Sequence, residues 1–223
     1  MEIPIFPLPL VLFPHVMAPL HIFEDRYRLM INRCIDESGT FGIVFIPAGA
    51  AEDETSIRRV GVNTKIVQFD RLDDGRLNIM AAGEKRFRIR RFLGSSPYWK
   101  AVVEFFDDDD ESGEELQESY NDAVRLYREA SQLSAKLRGV ELTDLQISES
   151  PQLLSYMVSY VLGVDPEPKQ ELLEMTSTTG RLKAVAVYLE DAIQRLNGQI
   201  ERARVSERVK GNGHLGLPGK SRE

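Results

Sequence analysis

Cysteine is nearly absent: Cys34 is alone among 223 residues, so no disulfide can close within the chain. It sits in the apolar set Tyr27, Met30, Ile31, Cys34, Ile35, whose helical spacing predicts a buried small hydrophobe. Such surroundings raise a thiol pKa and leave the sulfur inert as a nucleophile. Histidine is equally scarce. His15, His21 and His214 lie far apart, and none pairs with another ligand at zinc-site spacing. No G-x-S-x-G elbow occurs, which removes the usual serine-hydrolase arrangement. Nor is there an uninterrupted apolar run of about twenty residues, the length of a membrane-crossing helix. The apolar opening MEIPIFPLPLVLFPHVMAPLHIF is broken by Pro4, Pro7, Pro9, Pro14 and Pro19, and Glu2 stands where a leader peptide carries positive charge. The expected product is a protein without membrane contact, in the reducing cytoplasm, with no metal, no cofactor and no catalytic residues.

What is present suits a folded α+β protein. Hydrophobic residues make up 42% and charged residues 28% of the chain, near globular averages, so stapling by metal or disulfide is unnecessary at this length. Charge is divided unevenly. Residues 1–106 hold 14 Lys and Arg against 13 Asp and Glu, whereas residues 107–223 hold 14 against 22. The change begins at Asp107-Asp108-Asp109-Asp110-Glu111, five adjacent carboxylates that repel one another and resist burial. They mark a solvated boundary. A calcium site is the sharper alternative, but the run lacks the spaced ligands and turn glycine of a calcium loop.

Before that boundary the pattern is β-like. Phe41–Ile46 and Val60–Phe69 are buried-strand candidates, and Asp73-Asp74-Gly75 supplies hairpin chemistry into Arg76–Met80. Arg86–Arg90 and Tyr98–Phe105 follow as strands, and one helix, roughly residues 24–36, interrupts them. A small mixed sheet or partly closed barrel is expected, with no parallel βαβ repeats.

Beyond it the period is helical. Ser112 and Glu115 have the spacing of a capping box, and Leu116, Tyr120, Ala123, Tyr127, Ala130 and Leu137 form one face that ends at Gly139. Ser150-Pro151 and Asp165-Pro166 open a second and a third helix, and Leu182, Val185, Leu189, Ile193, Leu196 and Ile200 define a fourth. The expected division is a β-rich lobe 1–111, a helical bundle 112–205 and a frayed tail 206–223. In that tail Gly213 to Gly219-Lys220-Ser221 imitates a phosphate loop, but five residues separate the glycines where the motif needs four.

Two patterns offer a binding surface. Lys85, Arg86, Arg88, Arg90 and Arg91 form the notable basic cluster, and alternation puts Arg86, Arg88 and Arg90 opposite Phe87 and Ile89. This is a solvated or salt-bridged sheet face, or else a strip that follows RNA phosphates; a sequence pI near 5.2 and the lack of a stacking platform weigh against RNA. The second is Phe6, Leu8, Leu10, Leu12 and Phe13, flanked by Glu24, Asp25 and Arg26 at the start of the first helix. Either this segment threads the core or part of it lines a groove where an extended peptide adds by strand pairing.

Three stretches carry a family resemblance. IPIFPLPLVLFPHVMAPLHIFEDRYRLMI, VGVNTKIVQFDRLDDGRLNIMAAGEKRFRIRRF and LLEMTSTTGRLKAVAVYLEDAI, in that order and spacing, resemble the N-terminal, substrate-binding domain of Lon protease, over residues 2 to about 200. The resemblance implies a PUA-like pseudo-barrel followed by a helical bundle. It implies recognition of unfolded or partly folded protein segments, with a separate protease or chaperone as a possible partner. In Lon the ATPase and Ser-Lys protease domains follow this region, and neither appears here, so their catalytic residues have no counterparts. A stand-alone recognition module is the expectation.

Overall fold

A computed structural model describes residues 1–37 and 39–212. The elements are β1 (Glu2–Leu8), β2 (Met17–Ile22), α1 (Asp25–Asp36), β3 (Thr40–Phe45), β4 (Val60–Arg71), β5 (Leu77–Gly94), β6 (Lys100–Phe105), α2 (Glu114–Arg138), α3 (Pro151–Val161), α4 (Pro166–Glu174) and α5 (Thr178–Asn212). The six strands run in the order β2-β5-β4-β3-β1-β6, and β6 also pairs with β5, so five of them close into a barrel with β2 outside on the first half of β5. Closure removes sheet edges everywhere except along β2 and the outer half of β4. The sheet is mixed, as expected, because β1 pairs with β3 in parallel, Ile5 opposite Gly42 and Leu8 opposite Phe45.

Strand β5 is where the sequence misleads most. Gly83 reads as a break between two strands, yet a single 18-residue strand crosses it. A Cβ at that position would collide with the carbonyl of Phe13, so glycine is what lets the N-terminal segment lie against the strand. Register shifts opposite Val62/Thr64 and Ile66/Gln68 bend the strand so that its first half serves β2 and its second half serves β6.

Three apolar clusters follow from this topology. Ile3, Ile5, Phe87, Ile89, Trp99 and Val103 fill the barrel. Tyr27, Met30 and Ile31 of α1 cover Leu20, Ile22, Leu77 and Ile79 on the β2-β5 sheet. The third cluster joins sheet to helices, with Val11, Phe13, Val60 and Val62 packed among Leu126, Leu154, Leu172, Leu182 and Val185. Helix ends partly follow their signals. Ser150 caps α3 by accepting from the Leu153 N–H at 3.4 Å, and Gly139 ends α2 in the left-handed conformation, φ 67°. The expected capping box does not form: α2 starts a residue later, after Gly113, with no side-chain cap. Helix α5 also outruns its expected end at 205 and continues to Asn212. The glycine-rich Gly213–Ser221 stretch, with His214, lies outside the described residues.

The acidic run is solvated at Asp107, Asp109 and Asp110, as expected, but not at Asp108. Asp108 is buried, its side chain only 2% exposed, and pairs with both Arg86 of β5 and Arg181 of α5. Thr178 Oγ1 donates to the same carboxylate at 2.8 Å and Gln152 Nε2 at 3.1 Å. Glu111 accepts from the Thr179 N–H at 2.7 Å and from its hydroxyl, capping α5. Like charges adjacent in sequence resist burial only when they lack partners, and these partners come from about 70 residues downstream and 22 upstream.

Candidate functional site

Among the described residues no three His, Cys, Asp or Glu side chains cluster as a metal site. Burial raises the Cys34 thiol to about 11, with Glu37 adding to the shift, so it is held as the neutral thiol at physiological pH.

The basic strip does not exist as a strip. Alternation along Arg86–Arg90 holds, but the outer face of β5 is covered by helices at Arg86, which is 1% exposed and bound to Asp108. Burial is the largest influence on this guanidinium and lowers its pKa, although Asp108 and Tyr156 oppose that. Arg88 lies over the Phe106 ring, Arg90 pairs with Glu104, and Lys85 stands 3.8 Å from Asp107. Arg88 and Arg90 stay exposed, but the burial of Arg86 prevents all three from following phosphates together.

The N-terminal apolar segment is divided. Leu12 and Phe13 are 1% and 0% exposed and belong to the core, so neither can meet a partner; Leu10 is half-buried against the α1 cluster. Phe6 and Leu8 instead line a cleft of about 370 Å³ together with Phe23, Tyr27, Ile46 and Glu24. The Phe6 and Tyr27 rings pack with centroids 4.2 Å apart. Glu52 closes the rim: Arg26 donates to its two oxygens at 2.8 and 2.6 Å, and the Tyr27 hydroxyl donates at 2.8 Å. Burial, then that hydrogen bond, pushes the Tyr27 pKa upward, so the phenol stays a donor. Of the expected charged trio, Glu24 lines the cleft and Arg26 is held at its rim, but Asp25 pairs with Arg28 and faces solvent.

Beside this cleft lies a surface that sequence reasoning missed. Strand β2 is buried at every second residue, Ala18, Leu20 and Ile22, and exposed at Met17, Pro19 and His21. Across the sheet the exposed rows are Met17–Ala82–Lys65, Pro19–Met80–Gln68 and His21–Asn78–Asp70. Met17 is 61% exposed, Met80 half-buried, and Phe23, where the strand ends, 62% exposed. The Gly83 N–H donates to the Val16 carbonyl, so ladder alternation turns the backbone groups of Ala18, Leu20 and Ile22 toward β5 and those of Met17, Pro19 and His21 toward the open edge. Proline is tolerated there because its missing N–H falls on the unpaired side. The signal was available in MAPLHI, whose period-two pattern is that of a half-buried strand; the surrounding prolines hid it.

Comparison with known proteins gives the family. The family model of the ATP-dependent protease La (Lon) substrate-binding domain matches residues 2–191. The chain belongs to the Lon substrate-binding domain family. Its curated relatives include the Lon protease of Methylocella silvestris, 25% identical over 196 residues, covering 86% of this chain and 24% of that protein. The Lon protease of Escherichia coli K12 is likewise 25% identical, over 213 residues, covering 94% of this chain and 27% of that one. The chain thus spans about a quarter of these relatives, and the family model it matches is that of their substrate-binding domain. The fold agrees. A Lon N-terminal domain protein from Xanthomonas campestris superposes with a TM-score of 0.63 at 23% identity, covering 84% of this chain and 98% of that one. The N-terminal domain of Mycobacterium avium complex Lon gives 0.61 at 23%, covering 86% and 99%. No helix among the described residues of this Lon-family domain is long and apolar enough to cross a membrane.

Proposed function

We propose that this Lon-family domain recognises unfolded or partly folded polypeptide on the outer face and free edge of β2 and in the adjoining cleft. The observation that carries the reading is the apolar strip Met17–Pro19–Met80, which borders an unpaired strand edge and leads to Phe23 and the Phe6–Leu8 cleft. An extended client strand meets backbone acceptors along β2, while its apolar side chains meet the flexible thioethers and the cleft. Pro19 removes one donor from that edge and so limits indiscriminate strand addition. A folded protein, with its own side chains buried and strand edges closed, has little to offer this surface.

The test is fluorescence anisotropy with a labelled protein kept permanently unfolded by reduction and alkylation. Burying one large apolar side chain is worth about 1.5–3 kcal/mol, so Met17→Asp with Met80→Asp, or Phe23→Asp, should weaken binding at least about tenfold with the far-ultraviolet dichroism unchanged. Binding that is indifferent to all three substitutions would remove the proposed surface.

A further inference from the structure

A second surface, on the helices, points to a different ligand chemistry. Helices α2 and α5 run side by side in the same direction: Glu115 meets Lys183 near their starts, and further along Arg138, at the end of α2, and Arg195, midway along α5, border one groove. The groove has a volume of about 540 Å³, and Tyr127, Leu142, Leu145, Val161, Leu189 and Leu196 supply its apolar lining. Leu142 and Val161 are 41% and 52% exposed, so two large apolar side chains stand open to water.

The ionic lining has one sign. Residues 107–223 carry 22 acids against 14 bases, yet among the described residues the only charged groups lining the groove are the guanidiniums of Arg138 and Arg195. Arg138 donates to the hydroxyl and carbonyl of Ser134. Arg195 pairs with Asp191 of its own helix at 3.0 Å, in an exposed contact that a better-placed carboxylate can replace at little cost. Two cationic forks beside an apolar trough complement an apolar segment that carries carboxylates.

We infer that this groove binds an amphipathic polypeptide segment whose apolar residues are flanked by aspartate or glutamate. A polypeptide suits the groove better than a fatty acid does, because two guanidiniums line it and a fatty acid brings a single carboxylate. The inference rests on the helical groove alone and stands or falls apart from the strand surface.

Anisotropy titrations of the full chain with labelled leucine- and alanine-rich dodecapeptides test it, the peptides carrying two glutamates, two glutamines or two lysines. The glutamate peptide should bind about tenfold tighter than the glutamine peptide and the lysine peptide weakest, with the preference shrinking as salt rises from about 0.05 to about 0.5 M. Arg138→Glu with Arg195→Glu, both exposed positions, should reverse the order of glutamate and lysine, and Val161→Asp should weaken all three. Equal affinities, no binding, or an order unmoved by the charge reversal would overturn the inference. Displacement of the peptide by decanoate at matching concentration would assign the groove to a fatty carboxylate instead.

Discussion

Two guanidiniums on one carboxylate leave a net positive charge beneath α3, and the arrangement holds only while Asp108 is ionised. Tyr156 backs it, its ring centroid 4.2 Å from the Arg181 guanidinium carbon and 5.5 Å from that of Arg86. Burial raises the Asp108 pKa, but the hydrogen bond and charge of Arg181, with the charge of Arg86, more than offset it and hold the carboxyl below the ordinary range. A depressed folded-state pKa contributes stability that is complete above the unfolded value of about 3.9 and is lost as pH falls through the folded value. Acid should therefore loosen the junction only below about pH 4. Asp108→Asn should cost about 3–5 kcal/mol at pH 7, read by urea denaturation, because it strands two buried cations, and should flatten the acid limb of the stability curve. Replacing all three members together, Arg86→Met, Asp108→Leu and Arg181→Met, should recover most of that loss; a triple variant as unstable as Asp108→Asn would show that the charges themselves are required. None of this is legible locally. A run of five acids reads as solvated, and Arg181 is 73 positions away.

At the scale of elements, legibility follows how much of the determining chemistry is local. Helices α1 and α3, the β4–β5 hairpin and the ends at Ser150 and Gly139 were readable because a cap, a turn or a periodicity lies within a few residues. The parallel β1–β3 pair, the unbroken β5 and the open β2 edge depend on contacts across the sheet and were not. The site divided the same way: Phe6, Leu8, Glu24 and Arg26 were marked by composition, but Met17, Pro19 and Met80 meet only through register. Ser150→Ala should lower stability by about 1 kcal/mol by uncapping α3, measured as a shift in denaturation midpoint without a change in slope. Gly83→Ala should cost more, because the new methyl is driven into the Phe13 carbonyl rather than into a mobile side chain. A crystal structure of that variant with the 11–16 segment undisplaced would contradict this account.

For the whole molecule the decisive feature is the third cluster, in which residues of the barrel exterior and of four helices form one core. Val11, Phe13, Val60 and Val62 have no other cover, so a barrel without its helices would expose a large apolar face and leave Arg86 facing solvent. Sheet and helices should therefore unfold together, although composition and charge divide the sequence near residue 107. Trp99 reports on the barrel interior, and dichroism at 222 nm reports chiefly on the helices. The two signals should give superimposable urea transitions. If the helical signal melts at lower urea while Trp99 keeps its native emission, the barrel is autonomous and the Arg86–Asp108–Arg181 junction is a hinge between independent units. Coincidence in the unaltered chain that is lost in Asp108→Asn would show that the buried ionic junction, together with the shared apolar cluster, makes folding cooperative.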